Sequence, residues 1–171
     1  MKRRREGYDV RAIANVIIEE ADRLGLSLTN IQLNKILYFS HQDYLIERRK
    51  PLVSAKIEAW EYGPVFREIY AQFKKFGRNP INEKAKVVDY DTGSYIDARI
   101  DLPLEVIDRV RNSVRAYGPM SASQLVSLSH KKDGPWHRVW NYEGIVNVGM
   151  EITNELILAC EAGHVTHNEV S

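Results

Sequence analysis

Residues 28–44 read LTNIQLNKILYFSHQDY, and their reading as a helix decides the fold. Thr29 and Gln32 have the spacing of a capping box, in which the Thr hydroxyl accepts an N–H of the first turn while the Gln amide reaches back to the cap. From there Leu33, Ile36, Leu37, Ser40 and Tyr44 recur at helical spacing on one face, with Tyr38, His41 and Leu45 widening it. Phe39 and Ile46 fall on the other side, so little of this helix is left for water. The stretch predicts a central, largely buried helix.

Around it, 171 residues suffice for one domain with a real core. The 24 basic and 23 acidic side chains nearly cancel, which gives no overall pull toward nucleic acid or a membrane surface. Cys160 is the single cysteine, so no internal disulfide forms and a reducing compartment fits. Lys2 to Arg5 lead into Glu6, Gly7 and Tyr8 rather than an apolar run, and no stretch approaches the length of a membrane span. The expected organisation is a basic tail over 1–8, one helical domain over 9–163 and a tail over 164–171, in the cytoplasm.

In chain order, Asp9 caps a first helix with Val10, Ile13, Ala14, Ile17, Ala21 and Leu24 inside, and Gly25 stops it. The Ala21, Gly25 and Ile31 spacing is that of a helix-turn-helix over 9–46, which makes a DNA-binding regulator one alternative. A recognition helix would have to present Gln32, Asn34 and Lys35 together with Leu33, Leu37, Tyr38 and Phe39, and burial explains that mixture better. Lys56 to Tyr62 alternates as an extended segment, and Gly63 and Pro64 mark the start of a third helix with Phe66, Ile69, Tyr70, Phe73 and Phe76 inward. Between 78 and 102 the helical period disappears; Val87 and Val88, then Asp91 to Ser94, then Tyr95 and Ile96 predict a small hairpin, with an ordered loop as the alternative.

Pro103 opens a fourth helix with Leu104, Ile107, Val110, Val114 and Tyr117 inward. Ser121 and Gln124 form a second capping box, for a short helix with Leu125 and Leu128 inside. Trp136, Val139 and Trp140 cap the core, and a last helix is expected from about Met150 to Ala162 around Ile152, Leu156, Ala159 and Cys160, with Gly163 as its stop. The fold class is therefore mainly α: a compact helical domain around a central buried helix, with at most a small β-hairpin or short strand.

Little of this chain has the pattern of chemistry. A Gly-rich phosphate loop is missing, and Cys160 sits on an apolar helix face where thiols are packed and inert. His164 and His167 lack nearby Cys or carboxylate ligands, so the sequence implies no metal, no cofactor and no catalytic residue. A His-dependent hydrolase is the remaining enzymatic alternative, and it needs His41, His130 or His137 to converge with Glu58 or Glu61. The aromatic turns at Trp60 to Tyr62 and Trp136 to Trp140 instead carry the residue types that anchor protein interfaces.

Four blocks carry a resemblance: Tyr8 to Leu24, LNKILYFSHQDYL at 33–45, IEAWEYGPVFREIYAQFKKF at 57–76, and SASQLVSLSHKKDGPW at 121–136. The matching residues are Lys35, Leu37, Tyr38 and Phe39; Glu58, Ala59, Trp60, Gly63, Pro64 and Val65; and Ser129, His130, Pro135 and Trp136. Together they resemble the Panacea antitoxin domain family, also known as SocA-like or phage-associated proteins. The resemblance implies an antitoxin without enzymatic activity that neutralises a cognate toxin by direct binding. No separate DNA-binding domain of the kind some members carry is expected here, which puts transcriptional autoregulation in doubt, and nucleic acid is not expected as a partner. A protease enters only if the protein acts as an adaptor, a membrane does not enter, and a homodimer is compatible with the sequence. The candidate protein-binding residues are Lys35, Tyr38, His41, Trp60, Glu61, Tyr62, Gly63, Pro64, His130 and Trp136. Trp60, Gly63 and Pro64 have a second reading, in which they only fix the bend between the extended segment and the helix.

Overall fold

A computed structural model describes residues 5–141 and 150–168, those from 163 onward by backbone alone. The expected central helix is α2 (Asn30–Arg48), and the Thr29–Gln32 capping box forms as read. Every side chain from Leu33 to Ser40 is buried, so α2 is wrapped on all sides. Around it pack α1 (Val10–Arg23), α3 (Arg67–Phe73), α4 (Leu104–Tyr117), α5 (Ala122–Ser129) and α7 (Asn154–Asn168). A sixth helix, α6 (Pro135–Trp140), joins α7 to the first hairpin. Two antiparallel hairpins complete the fold, β1 (Glu58–Trp60) with β2 (Gly63–Val65), and β3 (Lys86–Val88) with β4 (Tyr95–Asp97).

Burial of α2 removes the DNA-reading alternative. Asn34 and Lys35 are each 1 % exposed, and Gln32 is engaged with Thr29 and the Met120 carbonyl. Asn34 instead accepts the Phe66 N–H at 3.0 Å and donates to Asn30, while Asn30 donates to the Tyr70 carbonyl. These amides satisfy the loop and helix that lie over α2, as buried backbone requires.

Four elements differ from the sequence reading. Gly63 and Pro64 do not start a helix. Gly63 has φ of 102° and turns the chain after Glu61 and Tyr62, and the next residues pair with β1. A bond from Lys35 Nζ to the Pro64 carbonyl holds the strand against α2, so α3 begins only at Arg67 and ends in a 3-10 turn at Lys74–Phe76.

Leu104 is 69 % exposed because the inner face of α4 is Val106, Val110 and Val114, on the opposite side of the helix. Leu128, Trp140 and Leu24 are likewise exposed, and Ser129 takes the inner place on α5 beside Leu125. The last helix starts later and runs further than expected. Ile152 is held extended by its N–H to the Ile57 carbonyl, Thr153 accepts the Leu156 N–H, and α7 continues past Gly163. Its inner residues are Ile157 and Cys160, with Ala159 outside.

The 86–97 hairpin stands where Asp91 to Ser94 predicted its turn. Its base is tied to α1 by Asn15, which donates to the Ala85 and Ala98 carbonyls at 2.9 Å and accepts the Ala85 N–H at 2.7 Å. No described helix is long and apolar enough to cross a membrane.

Candidate protein-binding site

Most of the candidate residues meet at one junction, where the β1–β2 hairpin lies between α2, α5 and α6. Lys35 projects from the middle of α2 and donates to the Pro64 carbonyl at 3.0 Å. It is buried beside Gly63 and Ser129, and a Cβ built at residue 63 would lie 2.7 Å from Lys35 Cε and 2.4 Å from Ser129 Oγ. Only glycine fits there, for space and for φ together. Among the described residues no carboxylate bonds the Lys35 ammonium, and burial pushes its pKa down to about 7.

His130 and Trp136 form the other wall. Their rings stack at 3.7 Å with planes 7° apart, and Trp136 Nε1 donates to the Trp60 carbonyl at 2.8 Å. The Trp136 indole thereby fastens α6 to the tip of β1. Burial, then the charge of Lys35, lowers the His130 pKa. His130 Nε2 is buried without a hydrogen-bond partner among the described residues, so a proton on it would be left unpaired there.

On the outer side of β1, Glu58 is buried and accepts from Trp60 Nε1 at 2.8 Å and from Arg67 at 3.0 and 3.2 Å. Burial raises its pKa, but the hydrogen bonds of Arg67 and Trp60 and the charges of Arg67 and Lys56 outweigh it and hold the carboxyl below its usual range. Trp60 also meets Tyr70 edge to face at 4.9 Å, with the Arg67 guanidinium 6.0 Å from its ring. The Trp60 ring is thus locked on two sides. What this frame leaves in water is the turn itself, Glu61 and Tyr62, the latter 59 % exposed.

Tyr38 and His41 stand apart from this junction. Tyr38 is buried against Phe39 and borders a cleft with Ser129 and Cys160. His41 accepts the Val53 N–H at Nδ1, which leaves the proton on Nε2 for Asn154 Oδ1 at 2.8 Å. Burial lowers its pKa. Neither His41 nor His130 bonds a carboxylate among the described residues, and each is held by different neighbours. His137 is turned to the Asp133 amide. The triad that a His-dependent hydrolase would need does not assemble, and no group of described His, Cys, Asp and Glu has the geometry to hold a metal. The side chains of His164 and His167 lie outside the described residues.

Sequence reasoning left Arg67, Ser129 and Asn34 out of the candidate site, although they lock this frame and Ser129 stood among the residues that carry the resemblance. Their one local signal was polarity next to an apolar run, which usually marks a solvent face.

The model for the SocA-like antitoxin family, Panacea domain, matches residues 33–137. That span takes in α2 from Leu33, both hairpins and the His130–Trp136 stack. The chain is also 33 % identical over 153 residues to antitoxin SocA of Caulobacter vibrioides (strain NA1000 / CB15N), an alignment that covers 89 % of this chain and 81 % of that protein. No solved structure matches it. The residues that build the junction lie inside a match of this extent, and the chain belongs to the SocA-like antitoxin family of Panacea domains.

Proposed function

We propose that this protein is an antitoxin that neutralises a toxin protein by binding it directly, without a catalytic step. The reading is carried by its identity to antitoxin SocA along 89 % of the chain. The geometry supports it physically. Lys35, Gly63, Pro64, His130 and Trp136 are covered and position the β1–β2 turn, while Glu61 and Tyr62 stand out of it. A rigid turn tipped with an exposed tyrosine loses little freedom on docking, which favours binding to a protein surface. Tyr38 and His41 stabilise α2 rather than touch a partner in this reading.

Co-expression with the toxin gene encoded beside this chain tests it. Growth should be restored and the two proteins should co-purify. A toxin that stays toxic and runs alone on size exclusion would sink the proposal. The toxin's half-life in the rescued cells separates occlusion, which leaves it stable, from delivery to a protease.

A further inference from the structure

The second hairpin leaves one strand edge open. Val87 lies opposite Ile96, the Asp89 N–H donates to the Ser94 carbonyl at 2.8 Å, and the Ala98 N–H to the Ala85 carbonyl at 2.9 Å. This register turns the backbone groups of 85, 87 and 89 toward β4 and those of 94, 96 and 98 toward β3, so the residues between them face outward. On β3 the outward groups of Lys86 are covered, its N–H donating to Gln72 Oε1 at 2.7 Å and its carbonyl accepting from Gln72 Nε2 at 3.0 Å, while those of Val88 at the strand end bond no described residue. On β4 they belong to Tyr95 and Asp97, and no described residue bonds either one's N–H or C=O. Such an edge is a template for another extended backbone.

The side chains around it are unusually apolar for a free edge. Tyr95 is 75 % and Ile96 47 % exposed, and Tyr90 in the turn is 96 % exposed. The cations nearby are spent on acids, Lys86 on Asp97 and both Lys84 and Arg99 on Glu19. Natural edges are commonly guarded by free lysines, and this one is not. Past Asp97 the chain continues through Ala98–Leu102 beside a groove of about 520 Å³ that Val16 of α1, Ile107 of α4, Ile100 and Leu102 line.

We propose that β4 receives an extended segment of the neutralised toxin, which adds as a third strand along Tyr95–Asp97 and seats an apolar side chain in the adjoining groove. The proposal rests on the antitoxin reading and gives it a second contact surface. A second copy of this chain fits less well: β4 has three residues, about 10 Å of edge, and two such edges would bury far less than the roughly 800 Å² per partner of a stable dimer. A longer extended segment has no such limit, since it gains the groove as well. With the neighbouring charges paired off, recognition comes from main-chain bonds and an apolar anchor.

Hydrogen exchange on the wild-type chain with the neighbouring toxin tests this. The Ile96 amide, which faces β3, should be slow in the free protein, whereas the Tyr95 and Asp97 amides should be fast and become protected in the complex. Tyr95→Pro deletes an outward N–H without touching the hairpin ladder, and should bind at least about tenfold more weakly than Tyr95→Val, which keeps it. Protection elsewhere with no change at Tyr95 and Asp97 overturns the strand addition and leaves the antitoxin reading intact. Protection that grows with concentration of the free chain overturns it in favour of self-association. If the neighbouring protein neither binds nor is neutralised, the antitoxin reading falls first. Short linear peptides selected from a displayed library against the purified chain then decide the edge, and failure of every selected peptide to protect these two amides overturns it too.

Discussion

Replacing Lys35 by methionine should make the protein more stable at low pH and progressively lose that advantage as the pH rises. The side chain is 1 % exposed and among the described residues bonds only a carbonyl, and its pKa falls from 10.5 to about 7. The unfolded chain therefore binds this proton more tightly than the fold does. Protonation disfavours the fold by roughly 5 kcal/mol in full below about pH 7, and the penalty fades between there and about pH 10.5. Through this group alone the wild type should gain about 2–3 kcal/mol between about pH 6 and pH 9. Methionine has similar length and no charge, but it leaves the Pro64 carbonyl without its donor, at a cost of about 1–3 kcal/mol. Lys35→Met should then be clearly the more stable protein near pH 6 and close to equal, or slightly worse, near pH 9. Urea unfolding of both proteins across this range measures the difference, in which the other titrating groups cancel except His130, whose pKa the Lys35 charge itself lowers. NMR titration of the Lys35 Cε–Hε signal gives the pKa independently. A stability difference that does not change with pH would refute the reasoning, because it would mean that the ammonium finds water or a counter-ion in the folded protein.

Gly63→Ala should lower the urea midpoint by an amount equal to about 2–4 kcal/mol, since φ of 102° and the contacts at 2.4 and 2.7 Å act together; adding Ser129→Gly should recover only the part due to the Ser129 contact. Trp136→Phe keeps the stack on His130 but drops the bond to the Trp60 carbonyl, so a loss of about 1–2 kcal/mol is expected in thermal or urea unfolding, and a loss near zero would remove that bond from the account of the junction. Glu20 is buried on α1 and meets Arg23, Arg111 and Arg115, and the hydrogen bond from Arg23 leads the interactions that hold its pKa below the usual range. Its contribution is present above the ordinary carboxylate pKa and is lost as the pH falls through the lowered one, so Glu20→Gln should cost about 1–3 kcal/mol at neutral pH and nothing in acid.

The helical part of this fold was legible because its signals are local. Thr29 with Gln32, Ser121 with Gln124, and the period of Val10 to Ala21 each act within a turn or two of helix, and Asp91 to Ser94 marks its hairpin in four residues. Of the β1–β2 pair only the first strand was legible, through the alternation of Lys56 to Tyr62. The second is three residues long, too short for a pattern of its own, and Pro64 satisfied the rule for a first helical turn equally well. What overrode that rule is a hydrogen bond from Lys35, 29 positions earlier in the chain. A lysine between Asn34 and Ile36 reads as a surface residue, and nothing near it says that its ammonium ends on a carbonyl.

The same distinction divides the candidate residues. Trp60, Gly63, Pro64, His130 and Trp136 could be singled out from the sequence, but whether they touch a partner or hold each other depends on contacts between segments far apart. Trp136 reaches Trp60 across 76 positions, and that bond, with the His130 stack and the Lys35 anchor, commits these side chains to one another. Substitutions among them should therefore reduce stability and binding together. Under the proposed function, changes at Glu61 and Tyr62, which stand in water, should reduce binding without acting on the fold. If a toxin complex survives the loss of both, the turn is a structural corner, and the open edge of β4 becomes the more direct place for a partner to land.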